Sequence, residues 1–250
     1  LDKTEKNYLK IIYDKFEIKI NKLPKIINNQ VFDIDNKFNK RFNLKKDCQF
    51  VQTSYDAITS MLGCGVVFPG ELGDMSGTVS NMRTLSLKIP KQKKNILHTC
   101  THPFKKLNIV GGSNNLGGGI IEWIKETFFS KNEFNYDYFK KIKSNNHYGL
   151  IFLPYLLGER APIWDSKIRA VFFGLSKEHT KNDLIMSILV GLGYSLKNMI
   201  ETIAINTKLK IKKIFVSGGL SRINIINQLK ADITGKTVVQ LNNYETTSIG

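Results

Sequence analysis

Residues 153–165 read Leu-Pro-Tyr-Leu-Leu-Gly-Glu-Arg-Ala-Pro-Ile-Trp-Asp, and this composition suits neither a helix nor a strand. Two prolines, a glycine, an adjacent pair of opposite charges and a tryptophan in so short a space are typical of a loop held in one shape. Ordered loops carry function more often than packing. We therefore expect a fixed loop here, with regular elements on both sides.

Hydrophobic periodicity predicts both strands and helices around this loop. Apolar patterning favours strands at 82–89, 95–101 and 211–216. Helical spacing favours helices at 57–62, 182–205 and 223–233. A glycine-rich loop at 111–119 is expected to lead into a further helix near Ile120. Strands that alternate with helices along the chain in this way predict the α/β class.

The chain is strongly basic, with 37 Lys and Arg against 21 Asp and Glu and a formal net charge of +16. Such a charge raises nucleic acid as a partner. Most of it is scattered lysine, whereas proteins that read bases and phosphates favour the bidentate fork of arginine. We therefore expect no specific nucleic-acid partner, and affinity for mixed DNA that survives moderate salt would contradict this.

Cysteine usage and hydropathy bear on location. Three cysteines without a C-x-x-C pair argue against a disulfide framework and for a reducing compartment, so the cytoplasm is expected. No apolar run in the sequence approaches the roughly 20 residues of a membrane span, and no membrane association is expected. Because the chain starts at Leu1 and stops abruptly at Gly250, we expect a piece of a longer protein.

Glycine-rich turns near strand ends carry the strongest chemical signal, at Ser76-Gly77-Thr78, Gly117-Gly118-Gly119 and Ser217-Gly218-Gly219. Each can present backbone N–H groups to a phosphate, because glycine lets a ligand approach the backbone. A simple tight turn is the alternative for each. None matches a Walker or dinucleotide fingerprint. Three such turns in one α/β chain nevertheless favour a nucleotide.

Phosphoryl transfer also needs a carboxylate that accepts the proton of the attacking hydroxyl. Asp56 is the best candidate, because it stands between an apolar segment and the helix 57–62, where a carboxylate can be fixed and partly desolvated. The alternative is that Asp56 only caps this helix. Asp74 has the same two interpretations. Asp165 is expected to anchor its own loop.

The run His98-Thr99-Cys100-Thr101-His102 places three metal-binding side chains on one face of a strand. A closed metal site needs a fourth ligand, and the sequence offers none. We therefore favour a half-buried strand without a metal. Cys48 and Cys64 are interpreted as small core residues.

In their order along the chain, these motifs resemble the FGGY carbohydrate kinases, especially the xylulokinase and gluconokinase branches. Residues 153–165 resemble the "LPYLxGERxPxWD" loop of that family. Residues 170–189 resemble its second signature, which normally closes on an acidic or amide residue where this chain has Val190. The last glycine turn is followed by Gln228 and Gly235, as in the adenosine-side element of the family.

The resemblance implies a role for each site residue. Asp56 is the implied catalytic base. The implied nucleotide-binding residues are Gly77, Thr78, Gly118, Gly218, Gly219 and Leu220. ATP and Mg²⁺ are the implied cofactors, and the magnesium ligands and much of the sugar pocket are expected in a first-domain segment of the family that has no match here. No metal ligand is therefore assigned in this chain.

The resemblance also implies an α/β chain with the actin-like ATPase fold, which is related to ribonuclease H. Residues 1–46 are the expected C-terminal end of the first, sugar-binding domain. Residues 47–250 are the expected second, nucleotide-binding domain, truncated at its C-terminus.

The implied function is ATP-dependent phosphorylation of a small sugar, with D-xylulose as first choice and gluconate or a polyol as alternatives. A non-catalytic nucleotide- or sugar-binding relative is a second hypothesis, because Val190 departs from the signature and the chain is incomplete. The oligomeric state stays open, with a homodimer among the alternatives.

Overall fold

A computed structural model describes residues 8–26, 31–45, 47–52, 54–91, 96–102, 106–143, 149–242 and 244–250. Contacts within the chain divide it into two compact units, Leu1–Tyr55 and Asp56–Gly250. The domain boundary predicted from the sequence falls between residues 46 and 47, and Lys46 lies outside the described residues. Asp56 begins the second unit.

The first unit is built from short elements. They are α1 (Lys10–Lys15), a 3₁₀ turn (Ile20–Lys22), β1 (Val31–Asp33), α2 (Asn36–Phe42) and β2 (Gln49–Val51). The two strands pair antiparallel, with Phe32 opposite Phe50. Asp35 caps α2 by accepting a hydrogen bond of 2.6 Å from the N–H of Lys37, which satisfies a backbone donor that the helix leaves unpaired.

The second unit alternates strands and helices. Its strands are β3 (Glu71–Ser76), β4 (Ser80–Ser86), β5 (His98–Thr101), β6 (Asn108–Asn114), β7 (Ile151–Leu153), β8 (Val171–Phe173), β9 (Lys213–Ser217) and β10 (Thr237–Gln240). Its helices are α3 (Asp56–Gly63), α4 (Gly119–Phe128), α5 (Tyr138–Lys141), α6 (Lys181–Thr207) and α7 (Asn224–Thr234), with 3₁₀ turns at Gly219–Arg222 and Thr246–Ser248.

A six-stranded mixed sheet forms the centre of this unit, in the order β10-β9-β3-β4-β6-β5. The strands β10, β9 and β3 run parallel, whereas β3, β4, β6 and β5 pair antiparallel. β7 and β8 form a separate antiparallel pair. The parallel part brings the carboxyl ends of β3 and β9 to one edge, where two of the glycine turns follow.

Helices cover both faces of the sheet. Because side chains alternate along a strand, Val110 of β6 packs with α6 on one face, while Ile109 packs with α3 on the other. A further apolar cluster joins α4, α7 and the N-terminal half of α6, with Ile124, Ile188 and Ile226 among its buried residues. The unit is therefore a three-layer α/β structure, which confirms the predicted class.

The main difference from the sequence prediction lies at 111–119. Gly111 and Gly112 lie inside β6 rather than in a loop. A Cβ on Gly111 would collide with the backbone of Met82, and a Cβ on Gly112 would lie 2.7 Å from the Cε of Met199. Glycine is needed in this strand because α6 and the neighbouring strand approach it closely. The predicted strand 95–101 begins at His98, and Asn95 lies outside the described residues.

Helix α6 is longer and more apolar than the sequence patterns indicated. Its 27 residues include an 18-residue window with a mean hydropathy high enough for a membrane span, by length and composition alone. Half of that window is buried inside the protein. Its buried residues, such as Ile188 and Met199, belong to two of the three core clusters, as expected of a central core helix.

Candidate functional site

The first two glycine turns are joined by backbone hydrogen bonds. The N–H of Gly118 donates to the carbonyl of Gly77 at 2.5 Å. The N–H groups of Gly117 and Gly119 donate to the carbonyl of Thr78 at 2.9 and 3.2 Å. A Cβ on Gly118 would lie 2.7 Å from the Gly77 oxygen, so this close approach requires glycine.

The third turn packs against the first. Gly218 has a φ of 81°, and a Cβ there would lie 2.5 Å from the carbonyl oxygen of Ser76. A Cβ on Gly118 would lie 3.8 Å from the Cγ of Leu220. Three turns that are far apart in the sequence therefore meet at one place. We call them the turn cluster: Gly77–Thr78, Gly117–Gly119 and Gly218–Gly219.

The turn cluster leaves space for a ligand at two of its glycines. Gly77 and Gly219 are exposed, and a Cβ on either would meet no atom within 4 Å. Within the part of the chain that the structure describes, the backbone N–H groups of Gly77, Thr78 and Gly219 donate to no protein acceptor. Free N–H groups beside open space are the chemistry that binds a phosphate. The Leu220 side chain is buried in the core, so only its backbone is available to a ligand.

A cavity of about 890 Å³ opens beside Gly219. Its apolar wall includes Tyr136, Phe139 and Ile223, and its polar groups include Arg222 and Gln228. The guanidinium of Arg222 lies 4.7 Å from the ring centre of Tyr244, which orients it. An apolar cavity with a few polar groups is typical of a site for a flat organic group.

Asp56 is the first residue of α3, and its carboxylate is exposed. Its Oδ1 accepts a hydrogen bond of 2.7 Å from the N–H of Ala57. Desolvation, which the sequence led us to expect, is absent at this carboxylate, because only the following residues of α3 point into the core. Within the described residues no hydrogen bond or ion pair joins Asp56 to the turn cluster.

Asp74 does not cap a helix, which corrects one sequence interpretation, and its carboxylate is paired rather than available as a base, which argues against the other. It lies within β3, is 1% exposed, and forms an ion pair of 2.6 Å with Lys230 of α7. No motif in the sequence pointed to Lys230. Its spacing from Ile223 and Ile226 places it on the apolar stripe of α7, and a lysine at such a position was the available signal.

The loop predicted at 153–165 has one defined shape, except that Leu153 is the last residue of β7. We call residues 154–165 the Glu159 loop. Glu159 and Asp165 exchange backbone hydrogen bonds of 2.8 and 3.0 Å. The buried Glu159 carboxylate accepts hydrogen bonds from the N–H groups of Asn115 at 2.8 Å and Arg160 at 2.7 Å, and from the amide of Asn114 at 3.2 Å. Burial raises the pKa of Glu159, although these bonds and the Arg160 charge act against it.

The loop therefore clamps the end of β6, just before Gly117. Glu159 thus binds backbone groups of its own loop and of the residue that follows β6. Asp165 accepts a hydrogen bond of 2.7 Å from the N–H of Lys167, so it anchors its own loop as expected.

The His98 segment forms the predicted strand β5. Burial, together with the charges of Arg83 and Arg160, lowers the pKa of His98, which packs edge-on against Trp164. Within the described ranges no group of three or more His, Cys, Asp or Glu could hold a metal ion. Cys64 is fully buried, as expected of a core residue, and its Sγ donates a hydrogen bond of 3.1 Å to the hydroxyl oxygen of Ser217. Cys48 is only half-buried and lies in the first unit, so its assignment to a core is wrong.

Comparison with known proteins gives consistent results. Residues 77–250 match the C-terminal domain of the FGGY family of carbohydrate kinases. The chain is 29% identical to the gluconokinase of Bacillus subtilis over 84% of this chain and 43% of that protein. It is 28% identical to the xylulose kinase of Lactococcus lactis over 96% of this chain and 48% of that protein.

Solved structures agree. The chain superimposes on the gluconate kinase of Lactobacillus acidophilus with a TM-score of 0.86 and 26% identity, over 97% of this chain and 50% of that one. The ligand-bound xylulose kinase of the same organism superimposes with a TM-score of 0.86 and 25% identity, again over 97% of this chain and 50% of that one. The chain thus spans about half the length of the relatives it matches. The predicted actin-like ATPase fold is confirmed, and the chain belongs to the FGGY family of carbohydrate kinases.

Proposed function

We propose that this chain supplies the nucleotide-binding part of an ATP-dependent sugar kinase. The observation that carries the proposal is the turn cluster, in which exposed N–H groups at Gly77, Thr78 and Gly219 face open space beside a cavity of about 890 Å³. The adenine ring fits the apolar wall of that cavity, and the phosphates fit the N–H groups. One nucleotide then spans the cavity and the turns.

Magnesium requires a separate test. In ATP-dependent enzymes Mg²⁺ is held by one or two carboxylates together with the phosphates. Within the described residues no cluster of three ligands is present, and the one carboxylate beneath the turns, Asp74, is occupied by Lys230. The described residues therefore do not build a magnesium site on their own, and the proposal assigns no step to the metal.

Asp56 is the proposed base. Phosphoryl transfer requires removal of a proton from the acceptor hydroxyl as its oxygen attacks the γ-phosphorus, with ADP as the leaving group. The exposed carboxylate of Asp56 is held at one oxygen by the N–H of Ala57, which orients the other oxygen. The proton then passes from the acceptor hydroxyl to Asp56.

The test uses Asp56→Asn in the protein encoded by the complete reading frame. We expect the rate of ADP release to fall at least about a hundredfold, with ATP affinity unchanged. Glu122→Gln, which alters an exposed carboxylate of α4, is the matched control and should leave both quantities unchanged. Normal turnover by Asp56→Asn would remove this residue from the mechanism.

The acceptor is proposed from the relatives. Gluconokinases, xylulose kinases and glycerol kinases match the chain at similar identities. We therefore propose a small polyhydroxylated acceptor, with D-xylulose as first choice and gluconate as second. An ADP-release assay with ketoses, aldonates and polyols identifies it. ATP binding without ADP formation on any acceptor would instead favour the non-catalytic relative.

Because the described cysteines are all free thiols, the proposed site of action is the reducing cytoplasm.

A further inference from the structure

A buried ion pair lies directly beneath the turn cluster. The Nζ of Lys230 is 2.6 Å from Oδ2 of Asp74, and the two side chains are 4% and 1% exposed. The space beside the pair is only about 10 Å³, close to the smallest that holds one water molecule. The pair is therefore almost dry, and each charge depends on the other.

On one side, the pair is tied to the phosphate turn. Oδ1 of Asp74 accepts a hydrogen bond of 2.6 Å from the hydroxyl of Ser76. The hydroxyl of Ser76 is in turn 2.7 Å from that of Ser80. Ser76 and Ser80 bracket the turn that contains Gly77 and Thr78, so the carboxylate holds both ends of this turn.

On the other side, the pair is tied to the turn at Gly218–Gly219. Lys230 lies in α7, which begins just after this turn. One helical turn before Lys230, the amide of Asn227 donates a hydrogen bond of 2.8 Å to the carbonyl of Ser221 in the 3₁₀ turn. A shift of Lys230 would therefore move α7, and with it the 3₁₀ turn that begins at Gly219, because the Asn227–Ser221 hydrogen bond joins the two.

We propose that Asp74 and Lys230 are positioning residues that set the spacing between the phosphate turn, Gly77–Thr78, and the nucleoside-side turn, Gly218–Gly219. This inference rests on the proposed binding of ATP across both turns. A ligand that occupies both turns requires their spacing to be correct. A ligand that occupies only the nucleoside side does not, because the cavity beside Gly219 is built by α5, α7 and the 3₁₀ turn.

The experiment compares ATP with adenosine as probes, by calorimetry on the 250-residue chain. In Lys230→Met, we expect the Kd of ATP to rise at least about tenfold and the Kd of adenosine to stay within about twofold, because only ATP needs preorganised spacing. A purely structural role would not separate the two ligands, since partial unfolding lowers the active fraction for both equally.

The double variant Asp74→Asn with Lys230→Met covers the case in which Lys230→Met fails to fold. It leaves no unpaired buried charge, and neutral replacement of a buried ion pair is often tolerated. We expect this variant to fold and still to bind ATP several-fold more weakly, with adenosine affinity retained. Recovery of full ATP affinity would overturn the proposal, because the defect of the single variant would then come only from the unpaired Asp74.

Two controls complete the design. Lys125→Met removes the lysine of an exposed ion pair on α4 and should change neither affinity. Ile203→Val removes one buried methyl group in α6 and lowers stability without touching the turns. If Ile203→Val separated ATP from adenosine as strongly as Lys230→Met, the proposal would be wrong. If the unaltered chain bound neither ATP nor adenosine, the proposed function would fail instead, which is a distinct result.

Discussion

The turn cluster and the Glu159 loop both hold an irregular backbone in one shape, but by different means. In the turn cluster, carbonyls of Gly77 and Thr78 bind the N–H groups of the opposite turn, and missing Cβ atoms allow close contact. In the Glu159 loop, one buried carboxylate binds two backbone N–H groups. The cluster keeps N–H groups facing open space, whereas the loop uses its polar atoms on the protein itself.

This difference separates the proposed binding site from the loop that supports it. The Glu159 loop is the most conspicuous stretch of the sequence. Its Glu159 carboxylate nevertheless accepts hydrogen bonds only from neighbouring protein groups, those of Asn114, Asn115 and Arg160, among the described residues. Each glycine turn by itself is also compatible with a simple tight turn, and the three form a candidate site only because they meet. Each region should therefore lose stability or binding when its own feature is removed.

The largest expected effect is at Gly218 of the turn cluster. Gly218→Ala puts a Cβ at positive φ and 2.5 Å from the Ser76 oxygen. The left-handed conformation and the backbone collision together should lower the free energy of unfolding by about 4 kcal/mol. Urea denaturation measures this loss. A decrease of less than about 1 kcal/mol would show that the turns are not in contact as described.

The next effect is in the Glu159 loop. Glu159→Ala leaves the N–H groups of Asn115 and Arg160 without their acceptor, so we expect a loss of about 3 kcal/mol by the same measurement. Glu159→Gln is the matched control and should cost under about 1 kcal/mol, because its amide oxygen replaces one carboxylate oxygen. Its NH₂ then faces the Nδ2 of Asn114, so the Asn114 amide has to turn over to present Oδ1, which has no partner within the described residues, as the acceptor. Equal losses in both variants would show that hydrogen bonding by Glu159 does not hold the loop.

The pH dependence of stability gives a smaller effect with a defined sign. Burial raises the folded pKa of Glu159 above its ordinary value of 4.5, so the folded state binds more protons than the unfolded state. The contribution of Glu159 to stability is therefore greatest at and below pH 4.5 and decreases as pH rises through the folded pKa. The slope is at most about 1.4 kcal/mol per pH unit.

Comparison with Glu159→Gln isolates this group, since glutamine does not titrate. The stability of the unaltered chain relative to the variant should fall as pH rises from 4.5 and then level off. A relative stability that increases with pH would show that the hydrogen bonds outweigh burial at this carboxylate.

The smallest effect on stability is expected one residue after the largest. Gly219→Ala meets no atom within 4 Å and has no positive φ, so the free energy of unfolding should change by less than about 0.5 kcal/mol. The new methyl group nevertheless enters the space proposed for the nucleotide, and the Kd of ATP should rise about tenfold. Unchanged ATP affinity would place the nucleotide elsewhere.

Much of the fold follows from local patterns. The period of apolar residues predicted most of α3, α6 and α7, because one stripe of each helix is buried. The predicted helix 57–62 lies within α3, which begins one residue earlier, at Asp56. β6 was misassigned at Gly111 and Gly112, since local propensity treats glycine as a turn residue. In the folded protein Met199 packs so closely against this strand that only glycine fits there, and this long-range contact cannot be inferred from the local sequence.

The candidate site was predictable in its parts but not in its assembly. The sequence by itself determined the family, through the order of its motifs, and it identified the three glycine turns, because glycine at a strand end has few other uses. Only the tertiary structure decided that these turns meet, that Glu159 binds Asn115, and that Asp74 pairs with Lys230 across 156 positions of sequence. Such contacts depend on how helices and strands pack. The physical reason is that a buried charge or an unpaired N–H group is satisfied by whatever the fold places beside it, whatever its distance along the chain.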